Sequence, residues 1–147
     1  MGLIDDVGPG PIAVDTVAFI YFIEEHRRYV EILEPLFRAV AAGSHTMVTS
    51  AITLLEVLVV PYRAGDFTMA DRYEALLSRG QGLELVPING EQLRAAALLR
   101  ARLRIQPPDA LQVAAAISRG CPCLVTNDRG LPEVEGLRVL QLRDYLR

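Results

Sequence analysis

Short apolar runs alternate along this chain with longer segments of helical pattern, and this alternation restricts the possible fold more than any other feature. Apolar runs of a few residues, bounded by glycine, proline or polar residues, are typical of buried strands. Strands that alternate with one or two helices favour a mostly parallel sheet with helices on both faces. The sequence therefore predicts an α/β fold with strands at about residues 12–14, 46–49, 83–88, 121–126 and 137–142.

Capping residues, prolines and glycines indicate where the helices begin and end. Ser50 is expected to cap a helix over 51–60, and Pro61 is expected to end it because proline lacks an N–H group. Thr68 is expected to cap the next helix. The other expected helices lie at about 17–23 and 28–42, from Asn89 to the break at Pro107-Pro108, and at 109–118.

A chain of 147 residues is expected to form one domain. Aspartate, glycine and proline dominate residues 1–10, so this segment is expected to be a mobile acidic lead-in and 11–147 the single domain. The mean hydropathy of +0.26 is high and indicates apolar surface buried against a second subunit or a partner. No targeting pattern or membrane-length apolar run is present, which predicts a cytoplasmic protein.

The cations and cysteines exclude several classes of enzyme. All fifteen cations are arginine, and a chain without lysine excludes P-loop NTPases, protein kinases, Schiff-base and pyridoxal phosphate enzymes. The net charge of −3 argues against nucleic-acid binding through bulk charge. Cys121 and Cys123 fit neither a redox pair nor a zinc site and are predicted to be reduced core residues.

Four acids occupy positions that a parallel sheet can bring together. Asp15 follows the first expected strand directly, and Asp128 follows a later one. Asp109 opens a helix, whereas Glu56 interrupts a helix that is otherwise apolar on nearly every face. Because ligands of such sheets bind at the carboxyl ends of the strands, we expect the four acids to converge there.

Each acid taken alone also has an ordinary structural explanation. Asp15 can cap the helix that follows it, and Asp109 suits the positive end of a helix dipole. Asp128 can be a turn residue, and Glu56 can reach solvent or pair with an arginine. These structural roles stay open at the level of sequence.

A cluster of four carboxylates is stable mainly when a cation is bound. Like charges within a few Å repel, and a divalent ion reverses that penalty. Oxygen ligands without histidine or cysteine select Mg²⁺ or Mn²⁺ rather than zinc. The predicted cluster therefore suits metal-dependent hydrolysis of phosphodiesters.

Four segments together resemble the PIN-domain nucleases: Val14-Asp-Thr16, Leu54-Leu-Glu56-Val, Pro108-Asp-Ala-Leu-Gln-Val-Ala-Ala-Ala116 and Leu124-Val-Thr-Asn-Asp-Arg129. The resemblance spans about residues 12–142, and a single domain of this length is similar to the VapC-type toxins of bacterial toxin–antitoxin pairs. It implies a three-layer α/β/α sandwich with a mostly parallel central sheet. The implied activity is Mg²⁺- or Mn²⁺-dependent cleavage of RNA.

The resemblance also implies roles for individual residues. The family's acidic quartet corresponds to Asp15, Glu56, Asp109 and Asp128, of which Asp15 and Asp109 are the implied metal ligands. The implied supporting hydroxyl is that of Thr126. Thr16, Asn127 and Arg129 are further candidate supporting or substrate-binding residues, and Arg129 is a candidate contact to the RNA backbone because it adjoins Asp128. The implied partners are an RNA substrate and a small antitoxin protein that neutralises a homodimer.

Two other functions compete with this interpretation. The main alternative is a catalytically silent PIN-like binding module, in which the acids serve only as caps and surface charges. A phosphatase with Asp15 as nucleophile would need an aspartate where Val17 stands, and a lysine that the chain lacks.

The helix before Asp109 carries four arginines, Arg94, Arg100, Arg102 and Arg104. They are either contacts to the RNA backbone or part of a charged face exposed to solvent.

Overall fold

The computed structural model describes residues 2–147, which form five strands, seven α-helices and a final 3₁₀ turn. The strands are β1 (Ile12–Val14), β2 (Met47–Ser50), β3 (Leu83–Val86), β4 (Cys123–Thr126) and β5 (Arg138–Gln141). The helices are α1 (Leu3–Asp6), α2 (Thr16–Ile23), α3 (Val30–Ala41), α4 (Ile52–Ala64), α5 (Phe67–Arg79), α6 (Gly90–Arg102) and α7 (Pro107–Ser118), and the 3₁₀ turn covers Leu142–Tyr145.

All five strands run parallel in the order β3-β2-β1-β4-β5, which confirms the predicted α/β class. The first strand of the chain is therefore the middle strand of the sheet. Ala13 lies opposite Val48 of β2 on one side and opposite Leu124 of β4 on the other. The carboxyl ends of β1, β2 and β4 consequently meet at one edge.

Helices cover both faces of the sheet and form the predicted α/β/α sandwich. Successive residues of β1 point to opposite faces, so Ile12 and Val14 contact the core shared with α1–α5. Ala13 contacts the second core, which is built with α7. Cys123 lies in the first core and Cys121 in the second, and both are free and buried, as the sequence predicts.

The segment expected to be a mobile lead-in, residues 1–10, includes the short helix α1, which packs on the domain. Leu3 and Val7 are buried in the main core, where α1 packs against α3. Asp6 accepts a 2.7 Å hydrogen bond from the Tyr145 hydroxyl and, through its carbonyl, a 2.9 Å bond from Arg138. Leu3 and Val7 are spaced one helical turn apart, a pattern that composition alone does not show. Met1 lies outside the described residues.

The predicted end of α4 at Pro61 is also wrong. The helix continues to Ala64 and ends at Gly65, whose φ of 69° is a left-handed conformation that glycine adopts without steric cost. Pro61 is buried inside the helix. A proline there removes one intrahelical hydrogen bond and its ring crowds the carbonyl one turn earlier, and burial of the ring offsets part of this cost.

One predicted helix cap is displaced. The cap of α5 is Asp66 rather than Thr68, because Asp66 has the spacing that lets its carboxylate accept a 3.0 Å hydrogen bond from the Met69 N–H. Ser50 ends β2 and is followed by Ala51 and the helix α4, and the Ser50 hydroxyl accepts a 3.3 Å hydrogen bond from the Ile52 N–H, as a helix cap does. Strand ends otherwise differ from expectation by one or two residues.

None of the helices in residues 2–147 is long and apolar enough to cross a membrane.

Candidate active site

The four acids singled out in the sequence line one pocket at the carboxyl edge of the sheet. This pocket has a volume of about 380 Å³. Its lining consists of Asp15, Thr16, Val17, Ile20, Tyr21, Glu56, Asp109, Asn127, Asp128 and Arg143. The convergence that the strand positions predict is therefore present in the folded chain.

Asp15 is held at the end of the central strand by two hydrogen bonds to its carboxylate. Oδ1 accepts a 2.8 Å bond from the Thr16 N–H, so the residue does cap α2. Oδ2 accepts a 2.7 Å bond from the Thr126 hydroxyl at the end of β4. Burial raises the pKa of Asp15, these two bonds lower it, and the charge of Asp128 raises it again. The cap therefore belongs to a carboxylate that is buried beside a second acid.

Asp109 lies in the first turn of α7, where Pro107 and Pro108 occupy positions that need no backbone donor. Its pKa is raised to about 6, first by burial and then by the charges of Asp128 and Asp15. A side-chain interaction with Asp128 and the charge of Glu56 act in the same direction. A helix dipole alone would favour the charged form of Asp109, so burial together with the neighbouring carboxylates outweighs the dipole.

Glu56 is half-buried on α4, and its Oε1 accepts a 2.6 Å hydrogen bond from the Thr16 hydroxyl. The alternative that it pairs with an arginine does not hold for residues 2–147. Within that range, the ion pairs are Arg38 with Glu34 and Arg119 with Glu84. Glu56 therefore faces the other acids without a cationic partner.

Thr126 and Asn127 have defined structural roles at the pocket. Thr126 donates to Asp15 and accepts a 3.1 Å hydrogen bond from the Asp128 N–H, so one hydroxyl fixes both acids. The Asn127 Oδ1 accepts 3.1 Å bonds from the backbone N–H and from Nε of Arg143. Asn127 thus places the Arg143 guanidinium in the pocket wall.

Arg129 was the arginine expected here, but it is exposed and does not line the pocket. The four helix arginines are also absent from the lining residues. Arg143 takes the position instead, and it was missed because it follows the last strand rather than an acid. Neither His26 nor His45 lines the pocket.

Gln112 and Thr53 were also missed, although the sequence carries a signal for both. Each is a polar residue inside a helix that is apolar on its buried side, which is the reasoning that singled out Glu56. Gln112 lies three residues after Asp109, and Thr53 lies three residues before Glu56. Residues at this spacing share a helix face, so both point toward the acid-bearing edge.

The donor set fits Mg²⁺ or Mn²⁺. The pocket offers carboxylate and amide oxygens and no sulfur or imidazole ligand. As the side chains of residues 2–147 stand, no three acidic, histidine or cysteine groups surround a single point. Mg²⁺ needs only one or two carboxylates because it keeps several of its waters. None of the four acids takes part in an ion pair within residues 2–147, and a divalent ion would supply a compensating charge.

Comparison with protein-family models gives a match between residues 12–137 and the PIN domain. No curated protein sequence matches the chain.

Solved structures of similar fold include three complexes. The VapBC2 complex of Rickettsia felis, bound to a DNA fragment from its promoter, aligns with a TM-score of 0.64 at 20% identity, covering 89% of this chain and 98% of that one. A toxin–antitoxin complex from Klebsiella pneumoniae gives 0.63 at 20% identity, covering 88% and 95%. DNA-bound VapBC from Salmonella typhimurium gives 0.62 at 23% identity, covering 92% and 99%. These likenesses establish a shared fold.

Proposed function

Because this chain belongs to the PIN-domain family, we propose that it is a Mg²⁺- or Mn²⁺-dependent endoribonuclease and the toxin of a toxin–antitoxin pair. The observation that carries the proposal is the convergence of Asp15, Glu56, Asp109 and Asp128 on one pocket. Four acids brought together from four separate segments cost folding free energy, and a bound divalent ion would offset this cost.

In this proposal Asp15 and Asp109 are the metal ligands. Asp15 is the more rigid of the two, since both of its oxygens are already oriented by hydrogen bonds. Glu56 and Asp128 hold metal waters or a second ion. When bound, the ion offsets negative charge that develops on the scissile phosphate.

The side chains around the acids have separate tasks. The Oε1 atom of Glu56 accepts a hydrogen bond from the Thr16 hydroxyl. Its other carboxylate oxygen accepts a proton from the attacking water. Arg143 presents a guanidinium for a phosphate of the RNA backbone. The products would carry a 5′-phosphate and a 3′-hydroxyl.

The test is cleavage of an RNA with a single-stranded loop by the purified protein. We expect cleavage with Mg²⁺ or Mn²⁺, none in EDTA, and a loss of several orders of magnitude in Asp109→Asn. Cleavage that survives EDTA would reject the metal mechanism. Sequencing the cut ends of cellular RNA after brief expression would then identify the target.

A protein partner is supported by two observations. The similar structures from Rickettsia felis and Klebsiella pneumoniae are toxin–antitoxin complexes. On this chain, large apolar side chains are exposed on α4 and α5, namely Leu55, Val59, Val60, Tyr62 and Phe67. We propose that the chain forms a homodimer and that a small antitoxin lays an apolar helix against it.

The partner proposal predicts growth arrest when the chain is expressed alone and relief when the antitoxin is co-expressed. A monomer in light scattering together with unimpaired growth would count against it.

The two free, buried cysteines of the chain are consistent with a reducing compartment, and we propose that the protein is cytoplasmic.

The alternative function is a catalytically silent PIN-like binding module. Asp15 favours it, because its carboxylate caps α2 and accepts a hydrogen bond from Thr126, which is a structural role that needs no ion. Stabilisation by Mg²⁺ separates the two functions, since a silent module should not bind the ion in this pocket.

A further inference from the structure

Beneath the four acids lies a buried cluster of three hydroxyl groups and one amide, formed by Thr16, Thr49, Thr53 and Gln112. Thr53 is 0% exposed, Thr49 1% and Gln112 2%. A buried amide costs free energy unless its donors and acceptor are satisfied. In this cluster both ends of the Gln112 amide have partners.

The orientation of the Gln112 amide follows from its neighbours. The Ser50 N–H can only donate, and it lies 3.1 Å from Oε1, so this atom must be the oxygen. The amide nitrogen therefore faces the Thr53 hydroxyl at 2.8 Å and the Thr16 hydroxyl at 3.5 Å. Gln112 acts as a donor toward both threonines.

The Thr16 hydroxyl has a single hydrogen, and it donates this hydrogen in its hydrogen bond to the Glu56 carboxylate. Thr16 is then the acceptor of the 3.5 Å contact with the Gln112 amide, and it can accept from the Thr53 hydroxyl, 3.1 Å away, when Thr53 does not donate to Thr49 at 2.7 Å. Donors on the buried side thus turn the Thr16 hydroxyl outward, toward Glu56.

The cluster also joins the segments that carry three of the acids. Thr16 is adjacent to Asp15 at the start of α2. Gln112 lies one turn beyond Asp109 on α7, and its partner Thr53 lies one turn before Glu56 on α4. A displacement of Gln112 would consequently be felt on all three segments.

We propose that Gln112 is a positioning residue for the reaction, an inference that rests on the proposed ribonuclease function. Its amide orients Thr16, and Thr16 orients the Glu56 carboxylate relative to Asp15 and Asp109. An apolar side chain of similar length would fill the same space but would leave the buried Ser50 N–H without its acceptor. From the amide nitrogen, the contacts lead through Thr16 to the Glu56 carboxylate.

The test compares Gln112→Met with Val113→Ala. Val113 is the neighbouring residue on α7, is fully buried and belongs to the second core. Both substitutions should lower the melting temperature. At a temperature where both variants are folded, Gln112→Met should lose about 10- to 100-fold in kcat, a typical loss when a supporting partner is removed, with KM for RNA unchanged. Val113→Ala should keep its kcat. Equal kcat values in the two variants would overturn the proposal.

Two further comparisons exclude a merely structural role. Thr53→Ser retains the hydroxyl and should retain kcat, whereas Thr53→Val should lose it. Adding Gln112→Met to Glu56→Gln should cause little further loss of kcat, because the first residue acts through the second. Fully additive losses would show that Gln112 does not act through Glu56.

Failure of the proposed function would be recognisable separately, since the wild-type protein would then cleave no RNA. In that case crystal structures still decide the positioning role. We expect Glu56 to leave Thr16 in Gln112→Met and to keep the wild-type contact in Val113→Ala. Retention of that contact in Gln112→Met would overturn the inference.

Discussion

The Thr126 hydroxyl donates a 2.7 Å hydrogen bond to Oδ2 of Asp15 and so joins the ends of two neighbouring strands. This bond lowers the pKa of Asp15 against the effect of burial. We expect Thr126→Val to raise the Mg²⁺ concentration needed for half-maximal activity by about tenfold or more. Thr126→Ser keeps the hydroxyl and should stay near wild type in a Mg²⁺ titration. An unchanged requirement in Thr126→Val would remove Thr126 from the metal-binding arrangement.

Neutralising Asp109 should separate stability from activity. Because Asp109→Asn relieves repulsion among the acids at little cost in volume, we expect the metal-free melting temperature to stay level or rise. Mg²⁺ should raise the melting temperature of the wild type, and much less that of the variant. Calorimetry with and without the ion measures both effects. Equal shifts in the two proteins would show that Asp109 is not a ligand.

The metal-free protein should become more stable as the pH falls. The pKa of Asp109 is raised from 3.8 to about 6, mainly by burial and then by Asp128 and Asp15. Between these values the folded chain holds a proton that the unfolded chain releases, so stability falls as the pH rises through about 6. Asp109→Asn lacks this proton, and its advantage in melting temperature at about pH 7.5 should shrink toward about pH 5. A difference that stays constant with pH would contradict the raised pKa.

Removing Arg143 should weaken RNA binding without affecting the metal. The loss of one charge-assisted hydrogen bond to phosphate is expected to raise KM by roughly tenfold in Arg143→Ala. Arg129→Ala is the matched control, because Arg129 is exposed and lies outside the pocket lining. Steady-state kinetics together with Mg²⁺-induced melting shifts measure both properties. A larger rise of KM in Arg129→Ala than in Arg143→Ala would instead support the sequence-based prediction that Arg129 contacts the RNA.

The sequence predicts the acids well because their placement depends on backbone topology. Asp15 and Asp128 follow strands, and parallel strands present their carboxyl ends at one edge whatever the side-chain details. Arg143 reaches the pocket only through its bonds to Asn127, sixteen positions earlier, and no local pattern encodes that contact. The buried position of Leu3 likewise depends on α3, which lies far along the chain.

The order of the strands has a consequence for a chain that emerges from the ribosome amino end first. The neighbour of the central strand β1, strand β4, is made more than a hundred residues after β1, as the separation of 111 positions between Asp15 and Thr126 shows. Pairing over such distances forms late in folding. A nascent chain therefore cannot assemble the pocket until Asp128 and Arg143 have been translated. If the chain cuts RNA as proposed, this arrangement keeps the unfinished protein harmless to the message being read.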